Sequence, residues 1–219
     1  MPDKKSAFYP YAANAIVAAR TALVFAVISL FAAKTGWSCR LAMAGLVAAA
    51  LMDWLDGHVA RRLGICSKLG GLLDTLGDRI TENLLLMYLA WERMVPLYVP
   101  AVFITRSFLA DFVRHINYGR GYGTFAVNDS PAGRIFVASG GARAAYLVLK
   151  MYVVFAGAAV LSAACGALGT FGATVRVMEK SVAPACALLV AVSVLRFAVL
   201  VYDSRKILLA EFRGQNLKV

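Results

Sequence analysis

The chain has 219 residues, 61% of them hydrophobic and 16% charged, with a mean hydropathy of +0.71. Soluble domains run at about 45–50% apolar and about 25% charged, so this composition excludes a disordered chain and makes a water-soluble globule a poor fit. The net charge of +11 comes without a basic stripe interleaved with aromatics; it reads as basic loops at a membrane surface that attract anionic lipid or phosphate, with no nucleic-acid partner.

In chain order, residues 1–12 combine Lys4 and Lys5 with Phe8, Tyr9 and Tyr11 and read as an interfacial segment. No small-residue cleavage site closes the apolar run that follows, so the first span is expected to be retained. Six stretches approach the roughly 20 apolar residues that a bilayer-crossing helix needs: Asn14–Ala33, Arg40–Leu55, Gly71–Ala90, Val95–Arg114, Ala144–Ala167 and Ser181–Tyr202. The longest interval, 115–143, holds Gly119, Gly121, Gly123 and Gly133 and predicts a structured loop or short surface helix. In the fifth stretch Ala156, Gly157, Ala158, Ala159 and Gly166 suit close helix packing, including packing across a homodimer. Residues 203–219 predict a cytoplasmic tail that begins as a helix leaving the membrane. Lys4, Lys5, Arg61, Arg62, Lys68, Arg120, Arg134, Arg205 and Lys206 all fall on the side of the N-terminus, which places both termini in the cytoplasm. The expectation is an all-α polytopic integral membrane protein, a single domain over 1–219 with six transmembrane helices. The four cysteines, Cys39, Cys66, Cys165 and Cys186, show neither a metal-binding spacing nor a disulfide framework.

The acids carry the chemistry. Asp53, Asp56, Asp74, Asp78 and Glu82 fall in one short window, across the end of the second stretch and the start of the third. Carboxylates at membrane depth are costly and mark function. Asp53 and Asp56 are spaced i, i+3 and Asp74 and Asp78 i, i+4, so on helices each pair shares a face. Four such charges repel one another unless cations sit among them, and a pair of Mg²⁺ or Mn²⁺ ions takes all-oxygen ligands and suits phosphoryl chemistry. The alternative is ion pairing with Arg61, Arg62, Lys68 and Arg79, most of which fall off the acidic faces. Gly57, Ala60 and Gly70 let a bulky ligand approach closely, and Arg61 supplies a cation for a diphosphate.

Written out, the window is Asp53-x2-Asp56-Gly57-x2-Ala60-Arg61-x8-Gly70-x3-Asp74-x3-Asp78. It resembles the signature of the CDP-alcohol phosphotransferase (phosphatidyltransferase) family at every fixed position and spacing. Asn14 with Arg20, and Arg106, are similar to the bacterial phosphatidylglycerophosphate synthase-like branch, from which Ser107 departs by standing where a Glu is usual. The resemblance implies an enzyme of phospholipid biosynthesis at the inner or plasma membrane, with its site facing the cytoplasm and in many members a homodimer. It transfers a phosphatidyl group from CDP-diacylglycerol to the hydroxyl of a small polar alcohol and releases CMP. It further implies that Asp53, Asp56 and Asp74 hold two metals and that Asp78 both contacts metal and takes the alcohol's proton. Gly57, Ala60, Arg61 and Gly70 would shape the cytidine-diphosphate pocket.

For the acceptor, Arg106, Arg114 and Arg143 supply cations that a phosphorylated alcohol would need, and glycerol 3-phosphate is the expected acceptor, ahead of inositol phosphate, serine or choline. Asp111 is spaced to pair with Arg114 within one helix, and His58 and His115 read as bystanders. Lys150 and Arg196 either snorkel or meet lipid phosphate, and spacing does not separate the two. An intramembrane prenyltransferase leaves the Asp-Gly-x2-Ala-Arg continuation unaccounted for. A divalent-cation transporter, from another functional class, predicts internal repeats that this chain lacks.

Overall fold

In this computed structural model the backbone is described for residues 4–63, 68–119, 130–167 and 172–213, and side chains for residues 15, 17–52, 75–117, 119, 130–167 and 173–213. Every regular element among them is helical: α1 (Lys4–Ala32), α2 (Gly36–Leu63), α3 (Lys68–Trp91), α4 (Tyr98–Gly119), a π-helical segment (Gly133–Ala138), α5 (Gly140–Ala164) and α6 (Gly172–Phe212). The π-helical segment is the short helix expected within 115–143.

The six-span topology is not what the helices support. Two of them, α5 over Gly140–Ala164 and α6 over Ala173–Phe212, are long and apolar enough to cross a membrane. Among the described residues, the apolar parts of α1 and α2 are Val17–Ala32 and Gly36–Met52, within helices of 29 and 28 residues. In α3 the described part begins with Asp78, Arg79 and Glu82, and α4 carries Arg106, Asp111 and Arg114. Each such charge in hydrocarbon costs more than several apolar neighbours return. Counting apolar stretches treated α3 and α4 as equivalent to the last two helices, and their charges separate them.

Two units are distinguished, Met1–Met94 with Ala156–Glu179, and Val95–Phe155 with Lys180–Val219. In the first, α1 packs on both α2 and α3. Its seam is Arg20, Val24, Val27 and Phe31, all buried and all on one helical face by their spacing. The facing residues of α2 are Cys39, Ala42, Leu46 and Ala49, and those of α3 are Leu85, Leu86 and Leu89. Two glycines set the approach. A Cβ on Gly45 would stand 2.7 Å from Val27 Cγ2, and one on Gly77 would stand 2.5 Å from Val17 Cγ1.

The turn from α1 into α2 is closed by reciprocal capping: the Thr35 amide donates to Ser38 Oγ and the Ser38 amide to Thr35 Oγ1, both at 3.1 Å, which satisfies donors that a helix start leaves open. In that turn Lys34 adopts φ 52° and its Nζ meets Glu92 Oε2 at the end of α3 at 2.9 Å. The small residues of α5 are spent inside the chain: Ala156, Ala158 and Ala159 are buried, as is Gly157. Gly166, the last of the small residues singled out for packing, is exposed. Cys39, Cys165 and Cys186 are free thiols.

In the second unit the buried face of α4 runs Val99, Phe103, Ser107, Ala110, Val113 and Asn117. Ala110 and Val113 pack with Leu200 of α6. One polar contact joins α4 to α6, Asn117 Nδ2 donating to Ser204 Oγ at 2.9 Å, and one joins α5 to α6, where the Tyr146 and Ser193 hydroxyls stand 3.3 Å apart.

Candidate active site

The acidic window lies on helix throughout its described backbone. Asp53, Asp56, Gly57, Ala60 and Arg61 belong to α2, and Gly70, Asp74 and Asp78 to α3. The i, i+3 and i, i+4 spacings therefore do put each aspartate pair on one face of its helix. The side chains of Asp53, Asp56, Gly57, Ala60, Arg61, Gly70 and Asp74 lie outside the described residues, and so does the loop 64–67 between the helices.

Asp78 is described, and its surroundings are specific. Its carboxylate accepts a hydrogen bond from Arg20 Nη2 at 2.6 Å, across 58 positions of sequence. The Arg20 side chain is 2% exposed while that of Asp78 is 47% exposed. One partner of the ion pair is thus embedded in the α1 seam and the other stays open to a ligand. Gly77 gives the guanidinium its place, since a Cβ there would come within 3.2 Å of Arg20 Nη2. The sequence placed Arg20 inside the first apolar stretch but gave it no partner, and the candidate partners it named for the acids were the arginines and lysine nearby in the chain. The signal that was available is the cost of a charge in the middle of an apolar run, which demands a buried counter-charge. Among the described residues no three His, Cys, Asp or Glu side chains form a metal-binding group.

The second unit holds the arginines. Arg106 stands over the rings of Phe103 and Tyr146, at 5.7 and 6.0 Å from their centroids, and Arg196 over the same Tyr146 ring at 5.0 Å. Arg196 also donates through Nη1 to the Phe136 carbonyl. The positive charges of Arg106, Arg143 and Arg114 all act on Arg196. Arg106 and Arg196, whose role spacing had left open, therefore share one tyrosine ring. Arg106 Nε is buried with no hydrogen-bond partner. Arg114 is held by Asp111 Oδ1 at 3.1 Å, as the i, i+3 spacing predicts. Below Arg106 an apolar cleft of about 300 Å³ opens among Ala101, Val102, Thr105, Leu109, Val194 and Phe197.

Comparison with known proteins decides the family. The model for CDP-alcohol phosphatidyltransferases matches residues 11–194. The chain belongs to this family. Among relatives of this CDP-alcohol phosphatidyltransferase is the CDP-diacylglycerol–glycerol-3-phosphate 3-phosphatidyltransferase of Pseudomonas fluorescens, 35% identical over 79 residues, 36% of this chain and 40% of the relative. The enzyme of the same description from Bacillus subtilis is 31% identical over 75 residues, 34% and 39% of the two chains. The archaetidylinositol phosphate synthase of Pyrococcus horikoshii is 33% identical over 103 residues, 44% and 55%. The first two matches span about two fifths of the length of those curated relatives. No solved structure matches the chain.

Proposed function

We propose that this protein is a membrane enzyme of phospholipid biosynthesis that transfers the phosphatidyl group of CDP-diacylglycerol to a small polar alcohol. The acceptor we favour is glycerol 3-phosphate. A hydroxyl oxygen of the acceptor forms a new bond to the phosphatidyl phosphorus, the bond from that phosphorus to the cytidylyl oxygen breaks, CMP leaves, and the hydroxyl proton passes to Asp78. The observation that carries this reading is the full eight-position motif laid on two helices, with Asp78 fixed by Arg20 yet open to ligand.

The donor chemistry fits hard cations, because paired carboxylates on helix faces form an all-oxygen set and Asp78 is accessible. Asp53, Asp56, Asp74 and Asp78 would hold two divalent ions, Mg²⁺ or Mn²⁺; bound there, such ions offset the charge that develops on the departing CMP. Gly57, Ala60, Arg61 and Gly70 would line the cytidine-diphosphate site. Arg106, Arg114, Arg143 and Arg196 supply the cations that a phosphorylated acceptor needs, which favours it over serine or choline. An inositol phosphate is the second reading, favoured by the Pyrococcus horikoshii relative. We place the enzyme in the inner or plasma membrane as a single catalytic domain and a homodimer, with its site on the cytoplasmic side.

The test is purified protein with radiolabelled CDP-diacylglycerol, Mg²⁺ or Mn²⁺, and a panel of glycerol 3-phosphate, inositol 1-phosphate, serine and choline. Metal-dependent CMP release with glycerol 3-phosphate is the expected result. Release with another alcohol alone replaces the acceptor, and no release with any of them from folded protein removes the enzymatic reading.

A further inference from the structure

We infer that Arg20 is the positioning residue for Asp78, holding the carboxylate in the orientation that the transfer uses; this rests on the proposed function above. Three observations meet at this point. The Arg20 Nη2–Asp78 Oδ1 separation is 2.6 Å and the arginine is the buried partner, so the contact is set by the frame of the molecule and not by two mobile side chains finding each other at a surface. Arg20 continues the face of Val24, Val27 and Phe31, which anchors its stem in the α1 seam. Gly77 lies immediately before Asp78, and its lack of a Cβ gives the guanidinium room against α3.

With Oδ1 hydrogen-bonded to Arg20, rotation of the Asp78 carboxylate about its last bond is restrained, which narrows the directions open to Oδ2. A carboxylate on a helix otherwise samples several rotamers, and only some of them aim an oxygen at an entering hydroxyl. Displacing a reacting group by about 1 Å costs about a hundredfold in rate. Arg20 touches neither donor nor acceptor in this account, and acts through Asp78.

Arg20→Gln and Arg20→Lys, assayed by CMP release beside wild type, test the inference. The expected result is a kcat lowered about a hundredfold in Arg20→Gln with KM for CDP-diacylglycerol within about threefold, and partial recovery of kcat in Arg20→Lys, which restores a point charge. A second measurement needs no turnover: a double-mutant cycle on thermal unfolding with Asp78→Asn. Arg20→Gln should lower the melting temperature markedly in the wild-type background and much less in the Asp78→Asn background.

A raised KM with unchanged kcat would make Arg20 a donor ligand and overturn the inference, as would additive melting shifts. An Arg20→Gln protein that fails to fold while Asp78→Asn folds also overturns it, because the arginine would then be serving the helix bundle and not the carboxylate. If wild type releases no CMP with any acceptor, the proposed function fails, and the unfolding cycle still reports whether the two residues are coupled.

Discussion

A side chain that takes a proton from an incoming hydroxyl has to be held still and remain reachable, and Asp78 meets both conditions through a buried partner on one side and an open face on the other. Asp78→Asn keeps the shape and a hydrogen-bond acceptor for Arg20 but removes the base. It should lower kcat at least 10²–10⁴-fold, the usual range for general-base catalysis, while CDP-diacylglycerol binding, followed by equilibrium filtration, stays within a few-fold. Equal loss of turnover and binding would assign Asp78 to donor capture instead. For the arginines, Arg196→Gln should raise KM for glycerol 3-phosphate about ten- to a hundredfold, the range of one lost hydrogen bond to a charged group, with KM for the donor little altered. A donor KM that rises instead would move this cluster to the lipid phosphate. The motif was legible at this scale because spacing alone puts aspartates on shared helix faces. The Arg20–Asp78 pair was not, because a separation of 58 positions hides a contact that only the packing of α1 on α3 creates.

Among the elements, α1 is held to its neighbours by glycines facing valines. Gly45→Ala forces a methyl group into the space of Val27 Cγ2, 2.7 Å away; overpacking of this kind costs about 1–3 kcal/mol. Thermal unfolding in detergent should show that loss while kcat and both KM values hold, since Gly45 packs on Val27, about two turns before Asp53 on α2. An unchanged melting temperature would mean that Val27 swings clear at no cost. Thr35→Ala removes half of the reciprocal cap and should cost about 0.5–2 kcal/mol. Helix positions were readable from apolar runs broken by glycine, proline and charge, and the expected stretches overlap the observed helices. Span counting was less secure: among the described residues only α5 and α6 are long and apolar enough to cross a membrane, and α4 holds three charges that an apolar average conceals. The buried alanines of α5 carry the same lesson, because a small-residue face reads alike whether its partner is the same chain or another.

At the scale of the whole molecule, stability should depend on pH through the α1–α2 turn. The Glu92 carboxylate, first by its hydrogen bond and then by its charge, raises the Lys34 ammonium above its ordinary value. A cation whose pKa is higher folded than unfolded contributes stability that is complete below the unfolded pKa and fades as pH rises through the folded one. The melting difference between wild type and Lys34→Met should therefore be constant through neutral pH and vanish above pH about 10.5, the ordinary lysine region. A difference that persists at higher pH would assign the effect to packing of the lysine stem.

One dimension of the molecule has a further reach. At about 1.5 Å per residue, the 41 residues of α6 extend for about 60 Å, twice the hydrocarbon thickness of about 30 Å. At tilts up to about 40° such a helix, with Pro184 inside it, overhangs the oily layer, and its charged ends, with Glu179 and Lys180 at one and Arg205, Lys206 and Glu211 at the other, are the parts fitted to stand outboard. Single cysteines at Glu179 and Glu211, both exposed, should each react with a membrane-impermeant maleimide in opened vesicles; protection of both would mean that α6 is sheathed along its whole length.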